Sequence, residues 1–169
     1  DNIGSSITLD GSMSAKDMYI ASGDNADILT LLATAELSAE TISVDMGAGA
    51  DEADLSGSIT ATGLAGLVLN TGSGADTIII DVKELRGNAK FLASSGDDAI
   101  TLNELHTRSN NESLLIDGGE DSDTVSVVTT GNGTDYTVDI FDSGVVAGLD
   151  TLNIDGVSGD NTFIIRENF

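Results

Sequence analysis

Cysteine, proline and tryptophan are absent from this sequence of 169 residues, aromatic residues make up 4%, and only six side chains are lysine or arginine. Without cysteine there is no disulfide framework and no thiolate ligand, which excludes structural zinc sites of the thiolate kind and iron–sulfur clusters. Against those six bases stand 29 acidic residues, giving a formal net charge of -23. Nucleic acid and anionic membrane surfaces are repelled by such a field at long range, so neither is expected as a partner. Uninterrupted apolar runs such as residues 114–116 are far too short to cross a bilayer, so a soluble chain without membrane insertion is expected. Asp1 opens the sequence with neither a methionine nor a leader, and Phe169 closely follows the strand-like Phe163-Ile164-Ile165. A piece of a longer protein is therefore expected.

What is present is 40% hydrophobic residues, mostly small or branched aliphatics, together with 20 glycines. They are arranged in a repeat: two apolar residues, a Gly/Ser/Asp turn, an Asp, then apolar residues two and four positions later. The clearest copy is Leu67-Val68-Leu69-Asn70-Thr71-Gly72-Ser73-Gly74-Ala75-Asp76-Thr77-Ile78-Ile79-Ile80. Others run from Val44 through Asp51 to Leu55 and from Leu114 through Asp123 to Val127, with weaker ones at Asp27, Asp98 and Asn161 and a fragment opening at Ser5. Anchors at 5, 27, 51, 76, 98, 123 and 161 give steps of 22, 24, 25, 22, 25 and 38 residues, with Asp98 read as following a turn two residues shorter than the rest. Near-equal steps with the turn at one phase are what stacked coils of a solenoid produce.

Alternation at Leu29/Leu31, Ile78/Ile80, Ile100/Leu102, Val125/Val127 and Phe163/Ile165 has period two, so these side chains share one face of a strand. Gly-x-Gly before the Asp supplies the backbone freedom of a tight corner. The expected fold is all-β, a right-handed parallel β-helix or β-roll-like solenoid of about 22–25 residues per coil, forming a single domain over 1–169. A third, less regular side of each coil is expected near Val82 to Leu85 and Asn103 to His106. A helix over 28–42, rich in good helix formers, is the competing local reading. Thr129-Thr130-Gly131-Asn132-Gly133-Thr134 has turn composition and precedes alternating Tyr136, Val138 and Ile140, so a β-hairpin is expected to project near 128–142 and to absorb the long step.

Thr71-Gly72-Ser73-Gly74-Ala75-Asp76-Thr77-Ile78-Ile79 resembles the glycine-rich nonapeptide of the RTX family, G-G-x-G-x-D-x-U-x, lacking its first Gly. Met46-Gly47-Ala48-Gly49-Ala50-Asp51-Glu52-Ala53-Asp54 is similar with Ala at the aliphatic place. Gly118-Gly119-Glu120-Asp121-Ser122-Asp123-Thr124-Val125-Ser126 keeps both leading glycines, and the stretch from Gly156 through Asp160 to Ile164 places Asn161 where the Asp belongs. The resemblance implies calcium held between stacked turns by the motif Asp and by glycine-turn carbonyls. It also implies a large secreted bacterial protein exported by type I machinery, such as an adhesin, toxin or surface-layer protein. Family motifs run in tandem every nine residues, whereas here one occurs per coil, so a wider β-helix with RTX-like turns along one corner is expected.

The charges at that corner point to a cation without reference to any family. Coils stack about 4.8 Å apart, which would set Asp27, Asp51, Asp76, Asp98 and Asp123 in a column whose neighbours repel by about 1 kcal/mol even at water's dielectric constant. A hard divalent ion with six to eight oxygen ligands neutralises such a column, and calcium tolerates irregular cages better than magnesium. Candidate ligands are those five aspartates, with Asp24, Asp97, Asp121 and Asp160 as further ligands or neighbouring charge, and the turn glycines Gly47, Gly49, Gly72, Gly74 and Gly118. Asp51, Asp76 and Asp123 match the motif best. Solvated aspartates bonding to their own turns are the plainer alternative.

Catalytic signatures are few. The single histidine, His106, lies in a polar segment, no nucleophile elbow is present, and carboxylate pairs are too abundant to be informative. Lys83, Arg86, Lys90 and Arg108 read as a solvated face, and the Thr77, Thr124, Thr162 row is interrupted by Ile28, Glu52 and Ala99, which disfavours ice binding. No enzyme is expected. The expected function is a calcium-rigidified spacer or assembly segment at the cell surface, seven coils rising about 34 Å, with neighbouring repeats, other copies or cell-surface glycans as partners. The alternative is a glycan- or partner-binding accessory module of an extracellular carbohydrate-active enzyme.

Overall fold

The computed structural model describes residues 3–103, 112–128, 137–143, 151–155 and 162–167. Every regular element among them is a strand, in the order β1 (Ser6–Leu9), β2 (Ser12–Ser14), β3 (Asp17–Gly23), β4 (Ile28–Leu31), β5 (Glu36–Gly47), β6 (Glu52–Leu55), β7 (Ser58–Asn70) and β8 (Thr77–Ile80). There follow β9 (Glu84–Arg86), β10 (Ala89–Leu92), β11 (Ala99–Leu102), β12 (Leu114–Asp117), β13 (Thr124–Val128), β14 (Thr137–Asp142), β15 (Thr151–Asp155) and β16 (Thr162–Glu167). They form two parallel sheets, one ordered β1-β4-β6-β8-β11-β13-β15 and the other β16-β14-β12-β10-β7-β5-β2, with β3 on β5 and β9 on β7. Each coil contributes a four- or five-residue strand to the first sheet and a longer or divided path to the second. The molecule is a β-solenoid.

Period two explains the packing. In β8 the pattern alternates, Ile78 and Ile80 facing inward, and the same two places are held by Leu29 and Leu31, Ala53 and Leu55, Ile100 and Leu102, and Val125 and Val127. The second sheet answers with Ile42, Leu67, Ala89, Leu114 and Val138 in one row and Val44, Leu69, Phe91, Ile116 and Ile140 in the next. Burying one such Leu or Ile contributes about 1.5–3 kcal/mol, so the core is a stack of aliphatic rows in which Phe91 is the one aromatic among the described residues.

Two local expectations are corrected and one competing reading is excluded. The competing helix over 28–42 does not form: Ile28–Leu31 is β4 and Glu36 onward is β5, joined by a turn over 32–35, because alternate side chains of the two strands face inward. The expected hairpin near 128–142 is replaced by β14, which lies parallel between β12 and β16; the turn residues 129–136 are outside the described residues. The strand that continues the first sheet beside β13 is β15, whereas the strand that follows Asn161 in sequence is β16 of the second sheet, so the seventh anchor is not at Asn161. The third side exists as β9, with Val82 and Leu85 buried; of the segment from Asn103 to His106, only Asn103 is described. A further irregularity sits between β5 and β7, where Glu40 stands opposite residues 62–65.

Candidate metal centre

The corner aspartates lie on the inward side. Asp27 has the same parity as Leu29 and Leu31, and Asp51, Asp76, Asp98 and Asp123 stand likewise before their own strands, so each carboxylate enters the tube at the corner. All five are buried, with 2–4% of their surface exposed. The expected column is therefore present, one carboxylate per coil.

Hydrogen bonds fix its geometry. The amide of Asp27 donates to Asp51 Oδ1 at 2.7 Å, that of Asp51 to Asp76 Oδ1 at 2.8 Å, that of Asp76 to Asp98 Oδ1 at 2.7 Å, and that of Asp98 to Asp123 Oδ1 at 2.9 Å. The row begins at Ser5, whose amide donates to Asp27 Oδ1. Main chain ties the same neighbours: Glu52 N–H donates to Asp27 O at 2.9 Å, Thr77 N–H to Asp51 O at 2.8 Å and Ala99 N–H to Asp76 O at 2.9 Å. The other carboxylate oxygen is different. Oδ2 of Asp27, Asp51, Asp76 and Asp98 is buried and accepts nothing. Buried charged acceptors without a partner are rare in folded proteins because each forfeits its hydration, at about 1–3 kcal/mol or more.

Protonation follows burial and charge. Desolvation pushes the Asp98 carboxyl up to about 7; the Asp76 amide pulls it back, while the charges of Asp76, Asp123 and Asp97 add to the rise. Asp51 is raised for the same first reason, with Asp76 and Asp27 adding repulsion. Asp27, at the end of the row, is lowered chiefly by the Ser5 amide.

The turns before these aspartates stack residue upon residue. Ala48, Ser73, Ser95 and Glu120 form a continuous parallel bridge, so the turn before Asp98 has the same length as its neighbours, and its coil is short elsewhere. Gly72 (φ +97°) and Gly74 (φ +135°) are required: a Cβ on either would collide with the carbonyl of Gly47 or Gly49 one coil away. Ser94 takes the place of Gly72 in its own coil at φ 79°. Gly47 and Gly72 carbonyls each accept one amide, from Ser73 at 3.0 Å and Ser95 at 3.1 Å, leaving one lone pair apiece. Gly118 packs on the Asp123 carboxylate, where a Cβ would come within 2.6 Å of Oδ2.

Asp24, Asp97 and Asp121 are exposed at the rim of these turns and are not gathered into the column; Asp97 Oδ1 accepts the Ser122 amide at 3.1 Å. Asp160 and Asn161 lie outside the described residues. Among the described residues no three acidic or histidine side chains converge on one point. What fits a cation is the line of buried, partnerless Oδ2 atoms, each neighbouring pair of coils offering two carboxylates. Sequence reasoning missed the use of Oδ1 as a coil-to-coil acceptor, although the shared parity of Asp27, Leu29 and Leu31 carries the signal. Compared with known proteins, the chain matches no family model, no curated protein and no solved structure.

Proposed function

We propose that this chain is a calcium-binding structural module of a large secreted or cell-surface bacterial protein of the RTX-like kind, acting as a rigid spacer or assembly segment and not as an enzyme. One observation carries the reading: a column of carboxylates whose Oδ2 atoms are buried without a partner. Asp27, Asp51, Asp76 and Asp98 would hold the ions, with Asp123 and turn carbonyls completing the sphere. Bound calcium supplies positive charge that offsets repulsion between successive coils. The chain's own part is to aim one carboxylate per coil inward, to fix its rotamer through the Oδ1 bond, and to exclude water with the aliphatic rows beside it.

Stiffness follows from the architecture. Each coil touches only its neighbours, so stability rises with every coil-to-coil contact that is made good. An ion bound only by the stacked state adds about 2.7 kcal/mol when its concentration is a hundredfold above Kd. Export before folding is then favoured where calcium is scarce, and folding where it is plentiful. Among the described residues, polar side chains at one open cleft are engaged with their neighbours. In the open cleft of about 690 Å³ beside Leu64, Arg86 pairs with Glu84, Thr62 Oγ1 donates to Ala39 O, and Asn88 bridges Leu64 O and Ser113. Far-UV circular dichroism and hydrodynamic radius, compared in chelator and in millimolar calcium, test the proposal. A more structured, more compact chain in calcium is expected; identical spectra and radii in both would refute it.

A further inference from the structure

The corner carboxylates all spend Oδ1 in the same way. Oδ1 of Asp51, Asp76, Asp98 and Asp123 accepts the amide of the aspartate one coil earlier, and Ser5 serves Asp27 Oδ1 likewise. Main-chain bonds of 2.8–2.9 Å, from Glu52, Thr77, Ala99 and Thr124 to the carbonyls of Asp27, Asp51, Asp76 and Asp98, hold the same coils at sheet spacing. Backbone and side chain are both pinned, and Asp27, Asp51, Asp76 and Asp98 each have one oxygen, Oδ2, left to offer. Among the described residues no three acidic or histidine side chains converge, so an ion on this line meets carboxylates two at a time.

A donor with one oxygen to give serves one ion best. Two divalent ions in successive intervals would lie about one coil rise, about 4.8 Å, apart. They would repel about four times as strongly as unit charges at that distance, with a single carboxylate between them. One such ion between two carboxylates is instead neutral, which is how buried charge is tolerated. An ion in one interval therefore disfavours an ion in the next. Ser5 decides which intervals fill first. It holds before β1 the place that aspartates hold before β4, β6, β8, β11 and β13, so Asp27 has a carboxylate neighbour on one side only, Asp51. Were Asp51 to spend its Oδ2 on an ion shared with Asp76, Asp27 would remain buried without a partner for its own. Pairing Asp27 with Asp51 and Asp76 with Asp98 leaves none of the four in that state.

Resting on the calcium reading proposed above, we infer that the aspartates of the column work in pairs: one ion is shared by Asp27 and Asp51, a second by Asp76 and Asp98, and the intervals Asp51/Asp76 and Asp98/Asp123 fill last. Calcium then joins the coils two by two before it joins the pairs to one another. Each coil touches only its neighbours, so the solenoid stiffens in two stages as calcium rises, and the commitment of Oδ1 to the neighbouring amide is what separates them.

Counting ions in asparagine variants tests the pairing, because Asn keeps the Oδ1 acceptor and removes the charge. Calcium taken up in the tighter phase of a titration is measured by equilibrium dialysis on the purified chain, with folding checked by circular dichroism. Asp51→Asn should lose one ion from that phase. Adding Asp27→Asn to it should lose no further ion, since both belong to one pair, whereas adding Asp98→Asn should lose a second. Asp98→Asn alone, which should also lose one, replaces Asp51→Asn if the latter fails to fold. Loss of two ions from either single variant, or of four from Asp51→Asn with Asp98→Asn, would mean that each carboxylate serves both of its intervals; that overturns the pairing and leaves the calcium reading standing. A wild-type chain that takes up no calcium, or variants that lose none, overturns both.

Discussion

Replacing Asp76 by Asn separates the two roles of the column. The amide keeps Oδ1, so the bond from the Asp51 N–H is retained, and the Asp76 N–H still reaches Asp98 Oδ1. What disappears is a buried negative charge between two others about 4.8 Å away. At an effective dielectric constant near 20 each such pair repels by about 3 kcal/mol. The full sum is not recovered, because Asp98 titrates near 7 and is partly neutral at that pH, and because the new amide N–H₂ must find an acceptor. Neighbouring Oδ2 atoms of Asp51 and Asp98 are suited to accept it. A net stabilisation of about 2 kcal/mol in chelator is expected, or a Tm increase of about 4–8 °C for a chain of this size. In calcium the sign reverses relative to wild type, since Asp76 borders two ion-holding intervals. Asp76→Ala is the control: it removes the same charge but also leaves the buried Asp51 amide without an acceptor, so it should be about 1–3 kcal/mol less stable than Asp76→Asn in both conditions. Thermal melts by circular dichroism read all four cases. Equal destabilisation of Asp76→Asn in chelator and in calcium would refute the reasoning and reduce the carboxylate to a hydrogen-bond acceptor.

Other perturbations follow from the same geometry. In chelator, the folded chain holds more protons than the unfolded chain between the ordinary aspartate value of 3.8 and about 7, owing to Asp98 with Asp51 shifted the same way. Stability at pH 5 should therefore exceed that at pH 7.5, falling as pH rises through that window; Asp27, shifted down, opposes this only below the ordinary range. Chemical denaturation at the two pH values measures it, and a flat or inverted dependence contradicts the assignment. Gly74→Ala forces a Cβ at φ +135° against the Gly49 carbonyl and should cost at least about 2 kcal/mol, read as a lower denaturation midpoint. Ser94→Gly should do the opposite: relief of φ 79° gains about 1 kcal/mol, less the small contribution of the exposed 2.8 Å bond from Ser94 Oγ to Asn70 Oδ1.

The coil, its period and the inward rows were legible because they rest on local pattern. Ile78 and Ile80 alternate, a Gly-rich turn precedes Asp76, and the same spacing returns at Asp51 and Asp123. The hairpin near 128–142 was misread because composition reports a turn but not which strand lies beside the next one. β14 finds its partner in β12, more than twenty residues back, and no dipeptide encodes that neighbour. The same blindness put the last anchor at Asn161. The turn before Asp98 reads as two residues short, yet Ser94 adopts the left-handed conformation in the place of Gly72 and the stacking is kept, so the short step lies elsewhere in the coil. The aspartate column was expected from charge and spacing; that one oxygen of each carboxylate is committed to the neighbouring amide depends on coil separation and rotamer, which only the folded arrangement supplies.

The most direct test is crystallographic: diffraction from the chain grown with calcium, collected at a wavelength where calcium scatters anomalously. Peaks between successive coils along the line from Asp27 to Asp123, within coordinating distance of the Oδ2 atoms, are the predicted result. An anomalous map with that line empty, or with peaks only at the exposed rim carboxylates Asp24, Asp97 and Asp121, would contradict the account.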